Sequence, residues 1–204
     1  MKALYIFLLC AATSYTYGNT PNEYACPHAW TQRNGYCYRY FDDMLPWSVA
    51  ESRCHEHFDS DGIAHLVSIH DQAENDFIFD IFNSANGDHG DLDITNTPGT
   101  DLPTGMWTGL HQEVRDGPWV WSDGSSNDYT HWLPGQPDNG YHARGRLNED
   151  CVIIWRNDDN GSESTRQWDD IGCDIQGGMP YVCKMPAVPE FNDVEDSRHH
   201  QRIL

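Results

Sequence analysis

Positive charge is scarce in this sequence. Against 32 Asp and Glu stand only 12 Lys and Arg, a formal net charge of −20 at pH 7, and a field of that sign repels nucleic acid, anionic lipid and sulfated glycan alike. Long apolar runs are also missing: beyond residues 3–12 nothing approaches the roughly 18 consecutive apolar residues of a membrane span, so no membrane anchor is expected. No CxxC pair occurs, which excludes a structural zinc centre of the usual cysteine spacing. Neither GxSxG nor HExxH is present, so the commonest serine-hydrolase and zinc-protease signatures are absent. There is no collagen repeat and no heptad run, and any oligomer would have to form through domain contacts.

What is present points outside the cell. Met1 and Lys2, the apolar run 3–12 and the small residue Gly18 read as a secretory leader over residues 1–18, the run being too short to cross a bilayer. The expectation is a secreted, extracellular protein of about 185 residues, enough for one domain with a sizeable core. Of the seven cysteines, Cys10 lies in the leader, which leaves Cys26, Cys37, Cys54, Cys151, Cys173 and Cys183. An even number in an exported chain reads as a disulfide framework, and spacing alone does not choose among its fifteen pairings.

Oxygen ligands gather late in the chain. Gln136, Asp138, Glu149, Asp169 and Asp170 stand in Gly-rich and Pro-rich surroundings between Trp132 and Cys173. Any one of them alone would be a solvated turn former. Calcium takes six to eight oxygens at about 2.3–2.6 Å, drawn from separate loop positions, and this segment offers them together.

The segments WLPGQPDN (132–139), EDC (149–151) and QWDDIGC (167–173), with MWTGL (106–110) and six ordered cysteines, resemble the calcium-dependent sugar site of the C-type lectin domain family. Each motif is weak alone; their order is specific, and the similarity covers about residues 26–183. It implies an α+β C-type lectin fold, long form, with two helices packed on small antiparallel sheets and a long disulfide-closed calcium- and sugar-binding loop. The implied domain spans 26–184. The implied disulfides are Cys26 with Cys37, Cys54 with Cys183, and Cys151 with Cys173.

Local patterning agrees. Asn34-Gly35 between Tyr-rich segments predicts a hairpin. Trp47, Ala50 and Cys54 have helical spacing, with Glu51 and Arg53 expected outside. After the strand-like 66–69, Asp71 is placed to cap a second helix whose inner face would hold Ala73, Phe77, Ile78 and Ile81. Residues 86–105 form a polar insertion longer than the family carries there. Strands are expected at 106–110, 119–121, 152–155 and 181–183, with the turn Asp116-Gly117-Pro118 between the first two. The polar tail 186–204 is expected to be disordered, and Asn160 opens a glycosylation triplet.

The resemblance also implies a mechanism. Calcium held by Gln136, Asp138, Glu149, Asp169 and Asp170 would leave coordination positions for two neighbouring sugar hydroxyls, which Gln136, Asp138, Glu149 and Asp169 would also hydrogen-bond. The order Gln136-Pro137-Asp138, with Pro137 cis, resembles galactose-type sites and implies terminal galactose or N-acetylgalactosamine as ligand; Glu-Pro-Asn goes with mannose. The chain departs from the family at three places. Asp169 replaces the usual Asn, Gly140 stands where a ring-stacking aromatic is usual and leaves that role to Tyr141, and Gln112 replaces an acid at an auxiliary calcium site matched by Asp116, Asn139, Glu149 and Asp150. That second site is expected to be weak. His142, in the same loop, would turn positive near the ion in acid. The alternative is a lectin-like domain that binds a protein partner and uses calcium structurally. An enzyme is not expected: a glycosidase needs one carboxyl in an apolar setting, whereas these acids cluster together.

Overall fold

The turn at Asn34 and Gly35, both with positive φ (50° and 80°), joins β1 (Thr31–Arg33) to the ten-residue β2 (Tyr36–Leu45) as an antiparallel hairpin. Left-handed conformation at both central residues is what a two-residue hairpin demands and what Asn-Gly supplies. The computed structural model describes residues 23–85, 105–140, 148–155 and 166–190. The leader 1–18, almost all of the insertion 86–105, Tyr141, His142, Asn160 and the tail from 191 onward lie outside the described residues.

Helix α1 (Trp47–Cys54) and helix α2 (Gln72–Ala85) follow, on either side of the short strand β3 (His65–Leu66). Then come β4 (Gly105–Gln112), β5 (Trp119–Trp121), β6 (Cys151–Trp155), β7 (Trp168–Ile171) and β8 (Met179–Pro186). In the main sheet the order is β1-β2-β8-β4-β6-β7, with β3 added to β8 and β5 to β4. All pairs are antiparallel except β4 with β8, which meet in parallel at Trp107 and Tyr181.

Both faces of this sheet are covered. Leu66, Trp107, Ile153, Tyr181 and Cys183 join Ala50 and Cys54 of α1 in one core, while Val67, Met106, Ile154 and Val182 join Ile78, Phe79 and Phe82 of α2 in another. Side chains alternate across a strand, so a sheet buried on both sides needs unbroken apolar runs. β6 has one, and in β4 the run is interrupted only by the buried Thr108, whose hydroxyl donates to the Val152 carbonyl at 3.1 Å. Trp107, Trp121 and Trp168 are fully buried, as expected of core tryptophans.

Three disulfides join Cys26–Cys37, Cys54–Cys183 and Cys151–Cys173, the pairing that the resemblance implied. The second closes a separation of 129 residues and fastens α1 to β8. In chain-entropy terms it removes about 4–5 kcal/mol of freedom from the unfolded state.

The structure corrects three expectations. Glu51 is not on the outer face of α1: it is buried, and its Oε2 accepts the Leu66 N–H at 2.8 Å and the Ser122 hydroxyl at 3.1 Å. The inner face of α2 is turned. Asp71 does cap the helix, its Oδ1 accepting the Glu74 N–H at 2.7 Å, but Glu74, Asn75, Ile78, Phe79 and Phe82 face inward and Ala73 is exposed. Asn75 is satisfied on that inner face, where its amide accepts from the Trp168 indole (2.8 Å) and donates to the Arg166 carbonyl (2.9 Å). Last, the start of the expected tail is a strand, β9 (Val188–Glu190), paired antiparallel with a short extended segment at Glu23–Ala25.

Glu74 also accepts from Lys184 Nζ at 2.7 Å and from the Tyr38 hydroxyl at 2.7 Å, and Lys184 donates to the Ser68 carbonyl at 3.1 Å. Lys184 is 5% exposed. Lys184→Met would strand a buried carboxylate, which costs about 3–5 kcal/mol and should lower the thermal midpoint by about 10 °C or more. Differential scanning calorimetry checks this, and Lys184→Met with Glu74→Gln should recover part of the loss, because no buried charge is then left unpaired and the amide oxygen can still accept from Tyr38.

Candidate functional site

The site is built on the edge strand β7 and the loops that it captures. Trp168 N–H donates to the His131 carbonyl at 2.8 Å and the Leu133 N–H to the Trp168 carbonyl at 2.9 Å, so the segment before Gln136 runs beside β7. A turn follows: Gln136 N–H reaches the Leu133 carbonyl at 2.9 Å, Gly135 takes a φ of 97°, and the Gln136-Pro137 bond is cis. Only glycine adopts that φ without strain. Asp170 then grips what comes next, its Oδ1 accepting the Asp138 N–H at 3.1 Å and its Oδ2 the Asn139 N–H at 2.8 Å. Asn139 in turn accepts the Glu149 N–H at 3.0 Å. Three chain segments are thereby tied together by side chain to backbone bonds.

Carboxylate oxygens of Asp138, Glu149 and Asp170 lie within 4.8 Å of one another. Glu149 is 3% exposed and Asp170 1%. Burial, with Asp170, Asp169 and Asp138 close by, pushes the Glu149 carboxyl up to about 8, against the pull of the Gly140 N–H. Asp170 is also raised, by burial first and by Asp138, although the N–H groups of Asn139 and Asp138 favour its charge. Gln136 turns its Oε1 to a buried position where it has no hydrogen-bond partner among the described residues. Acids this close cannot all ionise unless a cation joins them, and a buried amide oxygen left without a donor suits the same cation. The donor set is all oxygen, the chemistry of a hard ion such as calcium.

Asp169 sits differently. It is buried on β7 beside the cluster and adds to the field on Glu149, but its Oδ2 accepts the Trp155 indole N–H at 2.9 Å. Sequence reasoning took Trp155 only as part of a core strand; pairing of Ile153 with Asp169 across β6 and β7 brings the indole there. The auxiliary residues form a hydrogen-bonded group. Asn139 Nδ2 donates to Asp116 at 3.2 Å and to Asn148 at 3.4 Å, and Asn148 donates to Asp150. Gln112 spends its amide on the Gly117 carbonyl at 2.6 Å, holding the turn before β5. Asn148 was missed, and its place beside Glu149 was the available signal.

A family model described as the lectin C-type domain matches residues 43–185. The chain belongs to this family. An α-N-acetylgalactosamine-specific lectin of Patiria pectinifera is 37% identical over 156 residues, covering 76% of this chain and 77% of that protein. Echinoidin of Heliocidaris crassispina is 31% identical over 166 residues, covering 79% and 97%. Among solved structures, the C-type lectin CEL-I of Cucumaria echinata superposes with a TM-score of 0.56 at 27% identity, covering 81% of this chain and 99% of that one. Human lithostathine does so with a TM-score of 0.57 at 26% identity, covering 79% and 99%. The C-type lectin fold expected from the motifs is the fold observed, and the family is one of carbohydrate-binding domains without enzymatic activity. Among the described residues no helix is long and apolar enough to cross a membrane.

Proposed function

We propose that this C-type lectin domain is an extracellular receptor for terminal galactose or N-acetylgalactosamine, binding the sugar through calcium held by Gln136, Asp138, Glu149 and Asp170, with Asp169 beside them. The observation that carries this reading is the convergence of three carboxylates from separate segments around the buried Gln136 amide oxygen. Calcium bound there would offer its remaining coordination positions to two neighbouring hydroxyls. The protein's part is orientation: Asp138 and Glu149 accept from the hydroxyls, Gln136 donates through its Nε2, and Asp170 fixes the loop that carries Asp138. Charge-assisted bonds of this kind are roughly twice as strong as neutral ones. The Gln136-Pro137-Asp138 order and the galactosamine-specific relative support the choice of sugar. Three disulfides suit an oxidising, extracellular setting.

Isothermal titration with galactose and mannose, each in calcium and in chelator, tests this. Galactose should bind only with calcium; undiminished binding in excess chelator sinks the reading. Gln136→Glu with Asp138→Asn reverses donor and acceptor and should move the preference toward mannose. If the double variant keeps galactose, specificity is set elsewhere, with Tyr141 the first residue to replace.

One observation favours a second reading. Asp169 is engaged by Trp155 and offers only acceptors where the family's Asn brings a donor, which suits a domain that binds a protein partner and uses calcium to hold its loop. A glycan array that stays blank in calcium, with calcium binding intact, would select it.

A further inference from the structure

Helix α1 ends against β3 in a group that the sugar site does not use. Glu51 and His55 are four residues apart and so share one face of the helix end, and His65 comes to them from β3. His65 Nδ1 is 2.7 Å from Glu51 Oε1, His55 Nε2 is 2.9 Å from the same oxygen, and the two ring nitrogens are 3.1 Å apart. The three atoms form a closed triangle. With the carboxylate ionised, protons alone leave one edge unmatched. If both nitrogens carry hydrogen and donate to the carboxylate, two donors face each other at 3.1 Å; if one nitrogen is bare, its edge to the carboxylate joins two acceptors. A cation at the centre satisfies all three edges at once.

We propose that Glu51, His55 and His65 form a binding site for a borderline divalent transition metal, of which zinc is the type, separate from the all-oxygen cluster of the sugar loop. Two imidazoles and one carboxylate are a donor set for zinc rather than for calcium, which takes oxygens. Four-coordinate zinc with ligands at about 2.0–2.1 Å has ligand-to-ligand edges of about 3.3 Å, so the triangle need open by only a few tenths of an ångström.

The surroundings are those of a built site. Glu51 Oε2 is held by the Leu66 N–H and the Ser122 hydroxyl, which leaves Oε1 aimed at the histidines. His55 follows Cys54 directly, His65 precedes Leu66, and Leu66 is paired with Cys183, so the Cys54–Cys183 bond locks the ligands' two backbones together. Exposure is graded: the side chains of Glu51, His65 and His55 are 12%, 26% and 46% exposed. The carboxylate anchors the site from inside, and His55 opens it to solvent. With three protein ligands, a fourth position remains for water or for a donor from another molecule.

The test is isothermal titration of zinc chloride into the full secreted chain in saturating calcium, with thermal midpoints measured in parallel. One equivalent of zinc should bind and raise the midpoint by mass action. His65→Ala and His55→Ala should each weaken binding by about tenfold or more and shrink the rise in midpoint at the same zinc concentration. Asp138→Asn, in the sugar loop, should leave zinc binding unchanged, and so should His199→Ala with His200→Ala, which removes the other adjacent histidine pair. Binding that survives both His55→Ala and His65→Ala, binding lost with the His199 and His200 changes or with Asp138→Asn, or no binding up to about 1 mM zinc would each overturn the proposal.

Discussion

Asp170→Ala is expected to abolish sugar retention and to weaken calcium binding by about 100-fold or more, with the domain still folded. Two losses combine. The carboxylate is one of the three that converge, and it also fixes the Asp138 and Asn139 amides, so its removal frees the loop that carries a second carboxylate. Outer contacts of metal ligands alone are worth about 10–100-fold in affinity, and in the proposed site one side chain would supply both kinds of contact. The fold should survive, since Asp170 itself belongs to neither core and all three disulfides remain. Asp170→Asn should do almost as badly, because its NH2 would be pressed against one of two backbone N–H donors. Calorimetric calcium titration of both variants decides the matter. An Asp170→Ala protein that binds calcium within threefold of the parent would show that the ion sits elsewhere.

The second large effect is a reversal in how stability responds to pH. In calcium-free protein Glu149 holds its proton up to about pH 8, whereas its ordinary value is 4.5. Between those values the folded chain binds more protons than the unfolded one, so stability falls as pH rises. Asp170, also raised, acts in the same direction. Calcium should reverse the slope: its ligands must be deprotonated, so binding strengthens with pH and stabilises the folded state more. Melts from about pH 5 to pH 8 should therefore show a midpoint that declines by about 5 °C in chelator and climbs in excess calcium. Glu149→Gln should flatten the decline in chelator and remove most of the gain from calcium. Parallel curves with and without the ion would mean that these carboxylates are not what calcium engages.

The candidate site was visible in the sequence because its proposed chemistry asks for particular residue types. Oxygen-bearing side chains suit a hard ion, and their gathering in the ordered segments 132–139, 149–151 and 167–173 stood out before any coordinates. The strands were legible for a related reason, since a sheet buried on both faces writes itself as apolar runs. Glu51 and Glu74 were not legible. A buried carboxylate is tolerable only with partners, and those partners, Leu66 and Ser122 for one and Lys184 for the other, are brought by the fold from far along the chain. Helix spacing sees neighbours within two turns and so placed Glu51 outside. The same limit hid the bond between Trp155 and Asp169, and the strand at Val188–Glu190, whose partner lies at the other end of the chain.

That last pairing has a practical side. Because Glu23–Ala25 and Val188–Glu190 lie strand against strand, a peptide handle grafted before the first or after the second leaves the molecule at the same place and in opposite chain directions. Immobilising the protein on a sensor surface through either handle should thus present glycans with the same aspect of the domain. Copies strung in series would pivot about a single hinge point, and their reach would be set by the connecting peptide rather than by the width of the domain between its ends.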